Sequence, residues 1–159
     1  MPFVNPYEAL LKGRDPRDVM GASVGELSAL VRDWPGGRYD ASYEPGKWTA
    51  RQILLHLAHV EMIDGVRLRM ALSEPDYVVQ PFTPDAWVDA ETPLSGPEVL
   101  AQFHAMRRMN LGLWRSVPAD RWRQPFRHPE CGTMTLADLA AICAGHELHH
   151  FAQLGQVTT

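Results

Sequence analysis

The stretch WTARQILLHLA, residues 48–58, carries the signals of a helix that begins at a cap and turns one face to a protein core. Thr49 and Gln52 have the spacing of a capping box, in which each side chain accepts a hydrogen bond from the other residue's backbone N–H. Ile53 and His56 follow at the i, i+3 spacing of a single helical face. We therefore expect His56 on the apolar side of this helix, where a polar group is costly to bury without a partner.

Three other segments have the same kind of pattern, with apolar residues at helical spacing behind a capping residue. The four predicted helices run from about Asp15 to Arg32, Thr49 to Ser73, Ser95 to Ser116 and Thr135 to Leu154. No segment shows convincing strand alternation. The sequence thus predicts an all-α protein, a four-helix bundle whose apolar stripes face a common core.

A long connection, from Glu74 to Leu94, separates the second and third predicted helices. It contains four prolines, Pro75, Pro81, Pro84 and Pro93. A connection of this length in a compact domain is usually functional or contains a short helix, which we place at about residues 83–87. A further short turn is expected over residues 118–122.

Composition excludes several classes of function. The chain has 159 residues and a net charge of -4, which fits one domain over residues 1–159 and gives no basic surface for nucleic acid. It has no targeting signal and no apolar run long enough to span a bilayer. The two cysteines, Cys131 and Cys143, fit free thiols in a reduced cytosol. We therefore expect a cytoplasmic protein without nucleic-acid or membrane partners.

The segment GHELHHFAQL, residues 145–154, contains the H-E-x-x-H string of zinc metalloproteases, with Glu147 in the position of the catalytic base. His146 and His150 are four residues apart on the apolar stripe of the fourth helix, so their imidazoles can converge on one metal. A metalloprotease takes its third ligand from downstream, but no His, Asp, Glu or Cys follows His150. The sequence therefore argues against a metalloprotease, but His146 and His150 remain candidate ligands of a metal.

A third ligand is expected upstream. His56 is the best candidate, because it lies on an apolar helix face and bundle cores are where facing helices build metal sites. His59 and His104 are alternatives, and His128, which we predict on a loop, is the weakest. A structural role remains the other interpretation for each, because a buried histidine is commonly a hydrogen-bonded core residue.

These residues resemble a known family. Residues 48–58 are similar to the W-T-x-x-Q-x-x-x-H-x-A helix of the DinB superfamily, in its YfiT-like branch. The similarity continues through residues 67–74, 81–82, 86–87 and 126–130 and ends in His146-x-x-x-His150. The resemblance implies a four-helix bundle, often a homodimer, that binds nickel or zinc through His56, His146 and His150.

The resemblance also implies a choice of chemistries. Characterised relatives include transferases that use low-molecular-weight thiols such as bacillithiol or mycothiol, and others are labelled metal-dependent hydrolases by analogy. A metal with three neutral histidines keeps an open site, where it can present a thiolate or lower the pKa of water to about 7. We predict a thiol-dependent S-transferase acting on an electrophilic small molecule. A hydrolase with Glu147 as candidate base is the alternative, and a non-enzymatic metal-stabilised binding module is a third.

Other side chains are candidates for supporting roles. Asp64, about two turns beyond His56, is expected to orient a ligand. Three aromatic residues are predicted to cover an apolar electrophile, namely Tyr77, Phe82 and Trp87. Three arginines are predicted to bind carboxylates of a thiol cofactor, namely Arg107, Arg108 and Arg127. For any one of these residues taken singly, the favoured interpretation is core packing for an aromatic residue and a solvated surface for an arginine.

Overall fold

The computed structural model describes residues 3–91 and 94–158, which are mostly helical. The helices are α1 (Glu8–Leu11), α2 (Pro16–Val31), α3 (Ala50–Ser73), α4 (Pro84–Ala90), α5 (Gly96–Ser116) and α6 (Leu136–Gln156). Two 3₁₀ helices (Gly36–Asp40 and Ala119–Arg123) and a hairpin of β1 (Pro125–His128) and β2 (Gly132–Thr135) accompany them. The predicted all-α four-helix bundle with a long connection is confirmed: the four long helices are α2, α3, α5 and α6. Pro93, counted in that connection, lies outside the described residues.

Capping boxes decide where three of the long helices begin. Thr49 Oγ1 accepts from the backbone N–H of Gln52 at 3.2 Å, and Gln52 Oε1 accepts from that of Thr49 at 2.9 Å. The same reciprocal pattern occurs over Ser95–Glu98 before α5 and Thr135–Asp138 before α6. These bonds satisfy N–H groups that the helix itself leaves without partners, so the predicted start points of α3 and α5 are confirmed.

The four long helices pack in a ring in the order α2, α5, α3, α6. Each contacts its two neighbours in this ring, so α3 lies beside α6 and diagonally opposite α2. This order brings the helix that carries His56 directly against the helix that carries His146 and His150. Within the described ranges, none of the helices combines the length and apolar character that a membrane span requires.

The bundle interior has a polar layer between two apolar clusters. One cluster contains Leu68, Trp114 and Leu139, and the other contains Leu54, Phe103 and Leu154. Between them, along each helix, lie buried polar residues, which are Ser23, His59, Glu61, Asp64, Arg107, Asn110, Glu147 and His150. Buried polar groups need partners, so the hydrogen bonds within this layer govern how the four helices fit together.

The hairpin and α1 are absent from the sequence prediction. In each strand a single side chain is buried, Phe126 in β1 and Met134 in β2. Strands of four residues with one buried position show no alternation that a sequence pattern can reveal. Gly132, at a φ of 80°, supplies the left-handed turn conformation that starts β2.

The long connection is anchored at its start and contains the predicted short helix. Val79 N–H donates to Arg127 O at 2.8 Å and Arg127 N–H donates to Tyr77 O at 2.9 Å, which ties the connection to β1. Residues 84–90 then form α4, which packs on α3. The connection is thereby held over the part of α3 that carries the candidate site.

Candidate metal centre

The structure brings His56, His146 and His150 together between α3 and α6. His56 Nε2 lies 3.2 Å from His146 Nε2, and His146 Nε2 lies 3.0 Å from His150 Nε2. Two nitrogens bound tetrahedrally to one cation at about 2.0–2.1 Å lie about 3.3–3.4 Å apart. Both distances are thus close to the spacing of ligands around a single ion, and the three histidines, with donor atoms all within 4.8 Å of one another, form a cluster that could hold a metal.

All three imidazoles are neutral at physiological pH. Burial lowers the pKa of His56 to about 3, of His146 to about 2 and of His150 to about 4, with further lowering from the neighbouring histidines. Neutral imidazole is the ligand form of histidine. His146 Nε2 contacts both of the other Nε2 atoms, but it carries either one proton or one lone pair. It therefore cannot make a good hydrogen bond to both neighbours, whichever tautomers the three rings adopt. The chemistry of this donor set therefore fits a divalent cation.

Gln153 sets the tautomer of His150. Its amide nitrogen donates to Tyr43 Oη at 3.1 Å, so its Oε1 faces His150 Nδ1, which is 2.7 Å away and carries the proton. The Nε2 lone pair of His150 is then free to bind a metal. His149 Nε2, 3.2 Å from the Gln153 amide nitrogen, is a second acceptor for that group.

His56 has no comparable support. Its Nδ1 is buried without a hydrogen-bond partner among residues 3–91 and 94–158. The ring packs instead against Trp48, with centroids 4.9 Å apart. Packing therefore orients His56, whereas a hydrogen bond orients His150.

Two cavities flank the histidine cluster. The larger, about 340 Å³, is walled mainly by carbon and includes Tyr7, Phe82 and Ile142 together with His56 and His146. The smaller, about 260 Å³, lies on the His150 side and includes Tyr43, Lys47, Trp48 and Gln153. The larger volume lies at the lower end of the range for ligand sites, about 300–1,000 Å³, and the smaller volume lies just below that range.

Asp64 lines the larger cavity but is already engaged. Its carboxylate accepts from Arg67 Nη1 at 2.9 Å and from Cys143 Sγ at 3.0 Å. Burial and the Asp64 charge raise the pKa of the Cys143 thiol well above its usual range. Cys143 is therefore a protonated donor here, and it holds Asp64 beside the site.

Glu147 lies in the polar layer and lines neither cavity. It is 1% exposed, and Arg107 Nη2 contacts Glu147 Oε2 at 2.6 Å and Glu61 Oε1 at 2.7 Å. Burial raises the pKa of Glu147 to about 8, against the lowering effect of Arg107. Glu147 thus joins α6 to α5 and α3 through Arg107.

The other predicted residues are dispersed. His59 is buried against Glu91, at 2.9 Å, and His104 is half-buried on α5. His128 ends β1 rather than lying in a loop, and it lines the larger cavity. Phe82 also lines that cavity, whereas Tyr77 packs on Phe126 and Trp87 packs on Phe82 and His59.

Arg107 fits neither interpretation drawn from the sequence, a carboxylate-binding role or a solvated surface. The side chain is buried with two carboxylates of its own protein and reaches no cavity. Arg108 and Arg127 are exposed and line neither cavity.

Three residues near the site escaped the sequence analysis. Gln153 could have been identified from the sequence, because it lies one turn after His150 on the same helix, where its side chain can reach the imidazole. Tyr7 and Tyr43 lie outside the four predicted helices and had no such signal.

Residues 22–154 match the sequence profile of the DinB superfamily. The chain belongs to the DinB superfamily. A relative from Oceanobacillus iheyensis, named "Putative metal-dependent hydrolase", is 30% identical over 129 residues, which are 80% of this chain and 75% of the relative. A Bacillus mycoides protein with the same name is 30% identical over 132 residues, 81% of this chain and 75% of the relative.

Solved structures share the fold of this DinB superfamily member. YfiT from Bacillus subtilis, described as "a probable metal-dependent hydrolase with an unusual four-helix bundle topology", superposes with a TM-score of 0.82 at 23% identity. The match covers 89% of this chain and 83% of YfiT. A mycothiol-dependent maleylpyruvate isomerase superposes with a TM-score of 0.72 at 16% identity, covering 91% of this chain and 61% of the isomerase. At these identities the likeness shows the fold alone.

Proposed function

We propose that this single-domain protein holds a divalent cation, nickel or zinc, with His56, His146 and His150. We further propose that it is an enzyme that transfers a low-molecular-weight thiol such as bacillithiol to an electrophilic small molecule. The convergence of three neutral Nε2 atoms at the wall of a mainly apolar cavity carries this proposal. A cation held by three imidazoles supplies a Lewis acid that lowers the pKa of a thiol or of water.

The two carboxylates singled out from the sequence, Asp64 and Glu147, give no support to hydrolysis; the carboxylates that line the cavities besides Asp64 are Glu130 and Asp85. Hydrolysis benefits from a general base near the reacting water. Asp64 is bound by Arg67 and Cys143, and Glu147 is bound by Arg107 outside both cavities. A thiol depends less on such a base, because its ordinary pKa of about 8.5 is already far closer to neutral than that of water, about 15.7.

The chain's own residues have distinct parts in this proposal. Gln153 keeps the His150 lone pair directed at the cation, and the hydrocarbon wall around Phe82 and Ile142 keeps water from the electrophile. The sulfur forms a bond to the electrophilic carbon, and the leaving group departs with the electron pair of the bond that breaks. Two cavities beside the cluster offer separate space for the thiol and the electrophile.

Metal content is the first test. Protein purified without an affinity tag or added metal is expected to contain about one divalent cation per chain by elemental analysis. His56→Ala should lose that cation, whereas His104→Ala, a matched change of a histidine outside the cluster, should retain it. A His56→Ala protein with full metal content would contradict the assigned ligand set.

Activity is the second test. Metal-loaded protein is incubated with bacillithiol, mycothiol or cysteine and with 1-chloro-2,4-dinitrobenzene, and the thioether product is followed by absorbance. Turnover above the uncatalysed rate, lost in His56→Ala, is the expected result. No rate above background with any thiol would refute S-transfer.

Hydrolysis is the second candidate, because relatives 30% identical to this chain are named metal-dependent hydrolases. It predicts cleavage of an ester or amide substrate that requires the metal and, with Glu147 as base, is lost in Glu147→Gln. Under the S-transfer proposal Glu147→Gln keeps both metal and thiol transfer, so this variant separates the two mechanisms. A purely structural metal site normally has four protein ligands, and the described residues supply a cluster of three.

A further inference from the structure

The segment of residues 3–11 closes one side of the larger cavity. Tyr7 and Pro6 line that cavity with His56 and His146, and Leu11 is buried in the core. This segment precedes residues 22–154, the part of the chain that matches the family profile. The cavity wall is therefore built partly by residues outside the matched region.

Gly145 allows this segment to approach α6 one residue before a proposed metal ligand. A Cβ atom at position 145 would lie 2.5 Å from Tyr7 Cβ and 3.0 Å from Tyr7 O. The first distance is closer than two carbon atoms tolerate, so glycine at this position lets Tyr7 lie against the helix without a shift of either segment. The fit of the segment on α6 is thus specific to this pair of residues.

The Tyr7 ring is held in place from several sides. It meets the His146 ring edge to face, with centroids 5.4 Å apart, and it lies 5.6 Å from the His149 ring. Its backbone N–H donates to Asn5 Oδ1 at 3.0 Å, and its carbonyl accepts from Leu10 N–H at 2.9 Å. A ring fixed in this way limits the space beside His146.

We infer that Tyr7 is a specificity-determining residue, whose ring limits the bulk that an apolar ligand can carry beside His146. The inference rests on the proposed metal function, because it assumes that the substrate approaches His56 and His146. The cavity of about 340 Å³ has room for more than one aromatic ring, so the limit set by Tyr7 applies beside His146 and not to the cavity as a whole.

The test uses cobalt-loaded full-length protein and imidazole probes of increasing size. Imidazole, 4-phenylimidazole and 4-(2-naphthyl)imidazole are titrated while the cobalt absorption bands are recorded, so that affinity is measured without any activity. Wild-type protein should bind the phenyl probe and disfavour the naphthyl probe. Tyr7→Ala should raise the affinity for the naphthyl probe relative to imidazole by about tenfold, the lower end of what the shape of an apolar pocket discriminates.

Three further variants keep the inference falsifiable. Tyr7→Phe should leave the order of affinities unchanged, and Tyr7→Trp should weaken binding of the phenyl probe, so that a folding failure of Tyr7→Ala does not end the test. Leu10→Ala changes an exposed residue of the same short helix and should have no effect.

The outcomes separate this inference from the proposed function. Bound cobalt with the same probe ratios in wild type, Tyr7→Ala and Tyr7→Trp would overturn the role of Tyr7 alone. Failure of wild-type protein to bind cobalt at the histidine cluster would overturn the proposed function, and the role of Tyr7 with it.

Discussion

At the scale of single residues, the orientation of each imidazole decides whether three histidines form a metal site. His150 is oriented by the Gln153 amide, which Tyr43 orients in turn. A ligand held by such a partner loses less freedom when it binds a cation and presents its lone pair in the correct direction. Gln153 is therefore the residue beyond the three ligands on which metal affinity should depend most.

We expect Gln153→Ala to weaken metal binding by about 10–100-fold, because His150 loses the acceptor that fixes its tautomer. Affinity is measured by competition with a chromogenic chelator. Gln156→Ala is the matched control, since Gln156 is exposed on the same helix and donates only to Ala152 O, at 3.0 Å. Equal affinities of the two variants would contradict a supporting role for Gln153.

Acid should destabilise the metal-free protein through these same histidines. The folded-state pKa of His146 is about 2, below its unfolded value, so the unfolded chain binds more protons once the pH falls below about 6.5. Stability from this group is fully present above pH 6.5 and is lost as the pH falls toward the folded pKa. Glu147 has the opposite effect on stability. Because its pKa is raised to about 8, its contribution to stability is present at low pH and is lost as the pH rises from the ordinary pKa of a glutamate to about 8.

Comparison of wild type with His146→Gln isolates the histidine contribution. The difference in unfolding free energy between the two proteins should shrink as the pH falls from 6.5 to 4.5, by on the order of 1 kcal/mol per pH unit. Urea denaturation of chelator-treated protein at several pH values measures it. A difference that does not vary with pH would show that His146 does not titrate in this way.

At the scale of elements, the capping boxes fix where α3 and α6 begin, and so fix how far along the bundle axis each histidine lies. The Thr49–Gln52 box begins α3, and His56 follows two turns later, level with His146 and His150 on α6. The box before α6 begins that helix at a defined position relative to the hairpin. The register of the two ligand helices is thus set close to their starts.

Thr49→Ala should lower the unfolding free energy by about 0.5–2 kcal/mol, because the first turn of α3 loses a side-chain acceptor. Thr83→Ala is the matched control, since Thr83 is the N-cap of α4 but makes no capping hydrogen bond with its side chain. Thermal and urea unfolding of both variants provide the measurement. A cost for Thr83→Ala as large as that for Thr49→Ala would argue against the capping explanation.

At the scale of the whole molecule, a buried charged layer joins three of the four long helices. Arg107 on α5 binds Glu61 on α3 and Glu147 on α6, and Asn110 donates to Glu61 Oε2 at 3.0 Å. Two carboxylates share one guanidinium, and burial raises the pKa of both. This layer specifies which helix faces meet, and it does so beside the candidate metal centre.

Removal of Arg107 should be far more costly than removal of a surface arginine. Arg107→Ala removes the guanidinium that Glu61 and Glu147 share. Glu147, with a pKa of about 8, is mostly protonated at pH 7, so the loss of about 3–5 kcal/mol of unfolding free energy that we expect there comes from the buried Glu61 carboxylate left without its cationic partner. Arg108→Ala, the exposed neighbour, should change stability by less than about 0.5 kcal/mol. Chemical denaturation distinguishes them, and similar losses in both variants would rule out a stabilising role for the layer.

The sequence by itself determined the helices and the candidate ligands. Capping boxes and helical spacing are local signals, so the starts of α3 and α5 and the apolar placement of His56 and His150 could be predicted. The pair His146 and His150 follows from one turn of one helix. The third histidine, His56, was the best candidate because of its place on an apolar helix face, and the family resemblance supported it, but no local pattern links residues 90 positions apart.

Only the tertiary structure decided what surrounds those histidines. The order of helices around the bundle places Glu147 against Arg107 instead of in a cavity, although the H-E-x-x-H string suggests a base. The same order brings Tyr7 and Tyr43, from outside the predicted helices, to opposite sides of the cluster. These contacts depend on packing between distant segments, and the spacing of residues within one helix cannot encode which neighbour that helix will meet.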